Sequence, residues 1–448
     1  MIRPFSTHLT RKIKPNEEVT LRLHLRLLTL ALVSLTAATT AFGSGFGLYE
    51  QGAKAKAMCG AFAATADDPT AIFFNVAGLA QQRHFMLTAG ATAINFSNEF
   101  RGDPNDEFTS GSVANYRPHT FVLPNAYAAI PIGTNLTFGI GLFTPFGLRT
   151  NWQDPYIGRW VSRDANIKTA SVEPALAWQT SDGRFAVGLG AEYRRARLTL
   201  NRNNPLPFVN PFTGRIPDVA NVYLSSDWAS AWGWNAGVLF KGEKFRVGAS
   251  YRADMDIDFK GNATFTQIST GNAQIDAQVR SQLPPNQSIS TTIPFPSIAV
   301  VGFALTTVPH TDIEFDLTRT TWSRFKSLDV AFATTPAINL NRPQNWKDTN
   351  SYRLGVNHAA TTDWDVRFGL VYDENPQPTE VVSPLLPDAD REGVSFGAGY
   401  HPGPWIIDGA VFVLHFKTRG TMGQSADFIN ATYKTNAALF SLNLGYRF

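Results

Sequence analysis

FSLNLGYRF, residues 440–448, alternates without a break: Phe440, Leu442, Leu444, Tyr446 and Phe448 are large and apolar, while Ser441, Asn443, Gly445 and Arg447 are small or polar. Successive side chains of a strand point to opposite faces, so this stretch has one oily face and one wet face. The oily face ends on an aromatic terminal residue. The same alternation recurs upstream, behind a leader that looks like a signal peptide. Together these features predict a β-barrel set in an outer membrane.

Moving toward the amino terminus, Trp364, Val366, Phe368, Leu370 and Tyr372 oppose Asp365, Arg367, Gly369 and Asp373. Further back, Phe245, Val247, Ala249, Tyr251, Ala253, Met255, Ile257 and Phe259 alternate with Arg246, Gly248, Ser250, Arg252, Asp254, Asp256 and Asp258. The charges of the second set belong in water or a polar lumen, so residues 245–259 read as one strand with its apolar face outward. Short turn signals at 133–135, 181–183, 241–244, 309–311, 361–363 and 402–404 separate such runs. Longer polar stretches near 101–119, 150–166, 202–226, 260–290, 332–348, 375–390 and 419–430 alternate with them. Those connections delimit fourteen strands between His84 and Phe448. The fold expected is therefore all-β, a 14-stranded antiparallel transmembrane β-barrel with short turns on one rim and long loops on the other.

Composition agrees. Charged residues make up 17% of the 448-residue chain, against roughly 25% in ordinary soluble domains. Aromatic residues reach 12%, with 33 Phe and 10 Trp, as aromatic girdles and a lipid face require. A net charge of +3 lends no support to a nucleic-acid role. A single cysteine, Cys59, excludes an intrachain disulfide framework and reads as a small buried hydrophobe. Residues 1–26 carry scattered Arg and Lys, and an apolar run follows from Leu27 to Ala41. That run suits a signal peptide spanning 1–43, with small residues Ala41 and Gly43 placed for cleavage before Ser44. Residues 44–82 lack sustained alternation but hold Phe46, Leu48, Phe62, Ile72, Phe73 and Phe74. They read as a plug in the lumen, ahead of a barrel at 83–448.

Six segments, in order and with one hairpin counted once, resemble the FadL family of outer-membrane long-chain fatty-acid and hydrocarbon transporters. SGFGLYEQ (44–51) looks like that family's mature amino terminus, and ADDPTAIFFNVAGL (66–79) like its hatch. GWNAGVLF with YRADMDIDFKGNATF (233–240 and 251–265) is similar to a mid-barrel hairpin. WKDTNSYRLGV (346–356), then YDENPQP (372–378) and LPDADREGVSFGAGY (386–400), match late barrel segments. The resemblance implies a fourteen-stranded barrel, a hatch in its lumen and a lateral opening in the third strand. One departure is Asn75-Val76-Ala77, where the family's hatch motif reads Asn-Pro-Ala; losing the proline frees φ and restores an N–H.

The resemblance also implies site residues. The third strand is NLTFGIGLFTPFGLRT (135–150), in which Pro145 donates no ladder bond and Gly147 weakens pairing. A side exit is expected beside Thr144–Gly147; the plain alternative is a bend at the barrel rim. The family's head-group lysine aligns with Arg342, which keeps the charge but changes its geometry. Its second basic position falls on Leu200, with Arg202 two residues on and facing the same way. Asp373 matches a lumenal acid, and Phe46 an aromatic of the ligand pocket. For Arg202, Arg342 and Asp373 the plain alternative is a hydrated charge ladder. The acidic loop Asp103, Asp106, Glu107 could attract a divalent ion or lipopolysaccharide counterions, although such loops are ordinarily just hydrated.

The function expected is passive uptake of hydrophobic small molecules, most readily long-chain fatty acids, by lateral diffusion through the third strand. Aromatic or alkane hydrocarbons are the alternative cargo. Expected partners are that cargo, outer-membrane lipid and lipopolysaccharide, with no nucleic acid, no metal, no cofactor and a monomeric chain. No His-Glu-x-x-His, Gly-x-Ser-x-Gly or Walker-type motif points to an enzyme. A general aqueous porin is one rival. An adhesin or phage receptor read through the long loops is another.

Overall fold

The computed structural model describes residues 45–49, 51–205 and 217–448; the expected signal peptide lies outside them. The wall consists of β1 (Met86–Gly102), β2 (Thr120–Ile132), β3 (Leu136–Phe143, resuming at Gly147–Asn151), β4 (Asp164–Gln179) and β5 (Phe185–Pro205). It continues through β6 (Asp218–Ser226, then Ala229–Lys241), β7 (Phe245–Arg252, then Met255–Gln267), β8 (Gln287–Phe295, then Ile298–Val308) and β9 (Thr311–Thr320). It ends with β10 (Thr349–Ala359), β11 (Trp364–Asp373), β12 (Arg391–Tyr400), β13 (Trp405–Phe416) and β14 (Ala431–Arg447). Each strand pairs antiparallel with its sequence neighbours, and β1 pairs with β14 from Met86↔Arg447 to Gly102↔Ala431. The cylinder is closed, so no backbone edge runs its full length into lipid. All six short turns lie on one rim.

The alternation of the last strand holds: Phe440, Leu442 and Leu444 are exposed on the outside, while Ser441 and Asn443 are buried within. Aromatic clusters mark two levels of the outer face. Near the turns, Trp364 stacks on Tyr400, and Tyr446 packs against Trp405 and Phe448. Higher up, Tyr193 meets Trp232 and Trp234 meets Tyr251. These are the interfacial girdles of a membrane barrel.

In one respect β7 departs from the sequence reading. Phe245 and Tyr251 face outward and Arg252 inward, but beyond the break at Ala253-Asp254 the phase flips. Met255, Ile257 and Phe259 are buried inside, and Asp254, Asp256 and Asp258 point out, where Arg324 pairs with Asp254 at 2.7 Å and with Asp256 at 2.9 Å. A slip of one residue moves every side chain to the opposite face. β6 slips in the same way at Asp227-Trp228, β8 at Pro296-Ser297, and β3 at Thr144–Phe146. Below these breaks the wall is oily outside and polar inside; above them it is polar outside and oily inside. Two of the polar stretches read as loops, 202–226 and 260–290, are therefore partly wall.

Residues 45–49 and 51–82 sit in the lumen. They carry short helices at Ala53–Ala57 and Ala71–Phe74 and a 3-10 turn at Val76–Gln81. Small inward residues let them approach the wall: a Cβ on Gly248 would stand 1.9 Å from the Ala63 carbonyl oxygen. Gly248→Val is thus expected to lower stability by about 1–3 kcal/mol through overpacking, seen as a reduced Tm in detergent. An unchanged Tm would mean that the stopper sits elsewhere.

Candidate functional site

Inward polar side chains of the lower wall clasp the lumenal segment. On β9, the Asp316 carboxylate accepts the Phe62 and Ala63 N–H groups at 2.9 and 3.0 Å. Glu314 accepts Ala64 N–H, Thr65 N–H and the Thr65 hydroxyl at 2.6, 3.0 and 2.5 Å. Two strands away, Arg252 of β7 is ion-paired to Glu173 of β4 at 2.7 Å and to Glu192 of β5, and donates to the Phe73 carbonyl at 3.2 Å. Asn75 donates to Ala63 O at 2.7 Å and Val238 O at 3.0 Å, and its Oδ1 accepts Ala77 N–H. Asn75 is thereby the cap of the 3-10 turn, and Val76 stands at the first helical position. There an N–H has no intrahelical acceptor, so proline suits the position without being required and valine takes up the same geometry.

The third strand is interrupted between Phe143 and Gly147. β2 and β3 pair from Ile132↔Leu136 only as far as Ala126↔Leu142. Beyond that, Thr120–Asn125 pair with β1 alone and Gly147–Asn151 with β4 alone. The wall closes again where Tyr116 bridges Trp152 and Arg117 N–H reaches Asn151 O at 2.8 Å. Between lies a window. Its inner side is occupied by the start of the lumenal segment: Leu48 N–H donates to Pro145 O at 2.9 Å and Gly147 N–H to Phe46 O at 3.0 Å. Pro145, unable to donate, thus serves as an acceptor for a strand coming from inside.

Three hollows follow one another. The window opens on a cavity of about 530 Å³ walled by Phe96, Phe121, Leu123, Phe146 and Leu148. Behind Phe46 lies a second cavity of about 120 Å³, walled by Leu198, Leu200, Leu224, Ile289, Ile293 and Trp346. No charged side chain points into the second cavity; Lys260, at its border, is exposed on the outer face. The upper-wall phase flip supplies its oily lining. Phe46 caps it within an aromatic cage, with ring centroids 4.6 Å from Trp322 and 5.8 Å from Trp346 and Phe295. Leu148 and Ile167 belong to both cavities. Above them, among the loops, is a groove of about 770 Å³ bordered by Trp160, Arg202, Leu340, Arg342, Asp427 and Phe428. Arg342 is ion-paired with Asp427 there. Burial pushes the Asp427 carboxyl up and the Arg342 guanidinium down from their ordinary values, against the mutual attraction of the pair.

Residues 34–448 match the family model described as Outer membrane protein transport protein (OMPP1/FadL/TodX). The chain belongs to this family. It is 27% identical over 440 residues to the Long-chain fatty acid transport protein of Salmonella typhi, covering 94% of this chain and 98% of that one. It is 25% identical to Outer membrane protein P1 of Haemophilus influenzae, covering 81% and 82%. Among solved structures, a Pseudomonas aeruginosa FadL homologue superposes with a TM-score of 0.78 at 20% identity, covering 90% of this chain and 100% of that one. The P. putida toluene transporter TodX gives 0.70 at 16%, covering 91% and 99%. The chain is thus a fourteen-stranded outer-membrane barrel of the FadL/TodX family, with its short turns toward the periplasm.

Of the residues singled out from sequence, Arg202 and Arg342 come together in the loop groove, and Phe46, Pro145 and Gly147 in the lumenal passage. Asp373 does not join them. It is buried with Arg353 at 2.9 Å and Arg391 at 2.8 Å, and Arg353 donates to Cys59 O at 2.6 Å, so this cluster braces the hatch. Cys59 is buried, its thiol 3.1 Å from the Ser395 hydroxyl. In the loop beyond β1, Asp103 and Asp106 accept N–H groups of Asn105 and Phe108, ordinary loop closure. Among the described residues no group of three or more His, Cys, Asp or Glu side chains is arranged to hold a metal. Sequence reasoning missed Asp427, hidden in a polar loop. It also passed over Glu173, Glu192, Glu314 and Asp316, whose inward phase within their strands was a usable signal.

Proposed function

We propose that this chain is a passive channel carrying hydrophobic molecules, most readily long-chain fatty acids, from the cell surface into the outer membrane. Residues 1–43 serve as a removable leader, 44–82 as the hatch and 83–448 as the barrel, and a single chain suffices because groove, cavity and exit all lie within one wall. The supporting observation is the succession of charged groove, uncharged cavity and side window, with Gln344 bordering both groove and cavity and Phe46–Leu48 standing between cavity and window. Arg202 and Arg342 hold a carboxylate at the loops. The alkyl tail then enters the oily cavity, which spares roughly 0.8 kcal/mol per CH₂ of contact with water. A shift of the Phe46–Leu48 segment joins the two cavities, and the cargo leaves sideways into lipid without crossing the periplasm. Nothing in this path involves bond chemistry.

An uncharged inner cavity also suits aromatic hydrocarbons, as the likeness to a toluene transporter supports. The two cargoes separate on one variant. Arg202→Ala/Arg342→Ala is expected to weaken fatty-acid binding by about tenfold or more, from lost charge-assisted hydrogen bonds of about 1.5–3 kcal/mol. Uptake of toluene by the same cells is expected to stay unchanged. Binding of radiolabelled oleate by the pure protein checks the first, and unaltered oleate affinity would take the groove off the path.

A further inference from the structure

A second site lies on the outside of the barrel. Val172, Tyr193 and Trp232 pair across β4, β5 and β6 and form one outward row at the upper aromatic girdle. Beneath it, Leu176 and Leu189 pair and are exposed, an oily strip for acyl chains. Above it the surface turns cationic. Arg195 stands two residues higher, and the paired residues Lys168 and Arg197 four residues higher. For a strand rise of ~3.3 Å and a tilt of ~40°, that is roughly 5 and 10 Å above the girdle. All three are exposed, as is Lys260 on β7. None of the four has an ion-pair partner among the described residues. The nearby acids are engaged elsewhere: Asp164 with Arg149 at 3.0 Å, Glu192 inside the lumen, Asp254 and Asp256 with Arg324. Exposed Asp227 and Asp258 oppose them in the patch, Asp258 two residues from Lys260 and accepting the Thr292 hydroxyl at 2.6 Å.

Two of these cations are held in place. The Arg195 guanidinium lies 5.3 Å from the Trp228 ring centre, a cation–π contact. Arg197 donates to Ser226 O at 3.0 Å and to Ser225 Oγ at 3.1 Å. Unpaired cations held flat against a wall, just above a girdle and over an apolar strip, match an amphiphile with a strongly anionic head. At that height in an outer leaflet, phosphate-bearing glycolipid supplies it. We propose that the outer face of β4–β6 is a seat for lipopolysaccharide, with the lipid A phosphates on Lys168, Arg195 and Arg197. The seat stands apart from the transport path and does not rest on it. It does adjoin it, because Lys168 pairs with Gly147 of β3 and, with Trp228, borders the window cavity. A glycolipid seated here forms one flank of the exit.

The test is native mass spectrometry of the detergent-purified full barrel titrated with bisphosphorylated lipid A, dephosphorylated lipid A and phosphatidylglycerol. Wild type is expected to retain bisphosphorylated lipid A at least tenfold better than the other two. Lys168→Gln/Arg195→Gln/Arg197→Gln is expected to lose that preference while keeping wild-type Tm. All three positions are exposed, so folding is not at stake; the single Arg195→Gln is expected to fall between. Equal retention by wild type and the triple variant, or equal retention of the phosphorylated and dephosphorylated lipids, would overturn the assignment, as would a preference for phosphatidylglycerol.

Discussion

Cells producing Glu314→Ala/Asp316→Ala are expected to become leaky to small hydrophilic solutes that the native protein excludes. These two carboxylates receive four consecutive N–H groups, Phe62 to Thr65, and the Thr65 hydroxyl. Removing both leaves those donors unpaired against an emptied wall, at about 1–3 kcal/mol for each donor that water fails to reach. A closed barrel of this size holds an aqueous lumen once its filling moves. The expected readouts are steady ion conductance in planar bilayers and greater sensitivity to a large polar antibiotic. Glu314→Gln/Asp316→Asn keeps acceptor oxygens in place and is expected to leak much less. A double alanine variant as tight as wild type, with its hatch still protected from protease, would show that this clasp does not hold the stopper.

The second large effect concerns transfer between the two cavities. Leu148 lies on β3 just past the break and belongs to both hollows. Leu148→Trp adds bulk where they meet, while the β3–β4 ladder on either side stays paired. Fatty-acid uptake is expected to fall at least tenfold, with capture at the loop groove unchanged because Arg202 and Arg342 lie elsewhere. Ile167→Trp, on the neighbouring strand and also common to both cavities, is expected to act alike. Uptake by both variants at the wild-type rate would mean that cargo leaves by another route, down past the hatch.

Much of this architecture was readable from the chain. Period-two alternation placed β11 and β14 correctly, face and all, because nothing interrupts those strands. Gly, Pro and Asp clusters located the six turns. What escaped notice was the slip in β7, which Ala253-Asp254 carries without a glycine or proline to announce it. Read without a break, the run put Met255, Ile257 and Phe259 in lipid; in fact they are buried inside, in the apolar cluster that holds Phe46 and Phe295. For the same reason the outward serines and charges of the upper wall, such as Ser225, Lys260, Ser288 and Ser290, read as loop. Hydropathy reports which residues share a side; it does not report which solvent that side meets once the wall leaves the bilayer. The groove partner Asp427 lies 85 residues from Arg342, and no local pattern joins them.

The seam between β1 and β14 has a bearing on assembly. From within, Lys56 reaches Thr92 of β1 at 3.0 Å, Thr92 meets Ser441 of β14 at 2.8 Å, and Asn443 of β14 accepts Ala53 N–H at 3.0 Å. The first and last strands are thus joined to the cork as well as to one another. Seating the cork therefore strengthens the seam that zips the cylinder shut, and any change that dislodges it is expected to loosen that seam too.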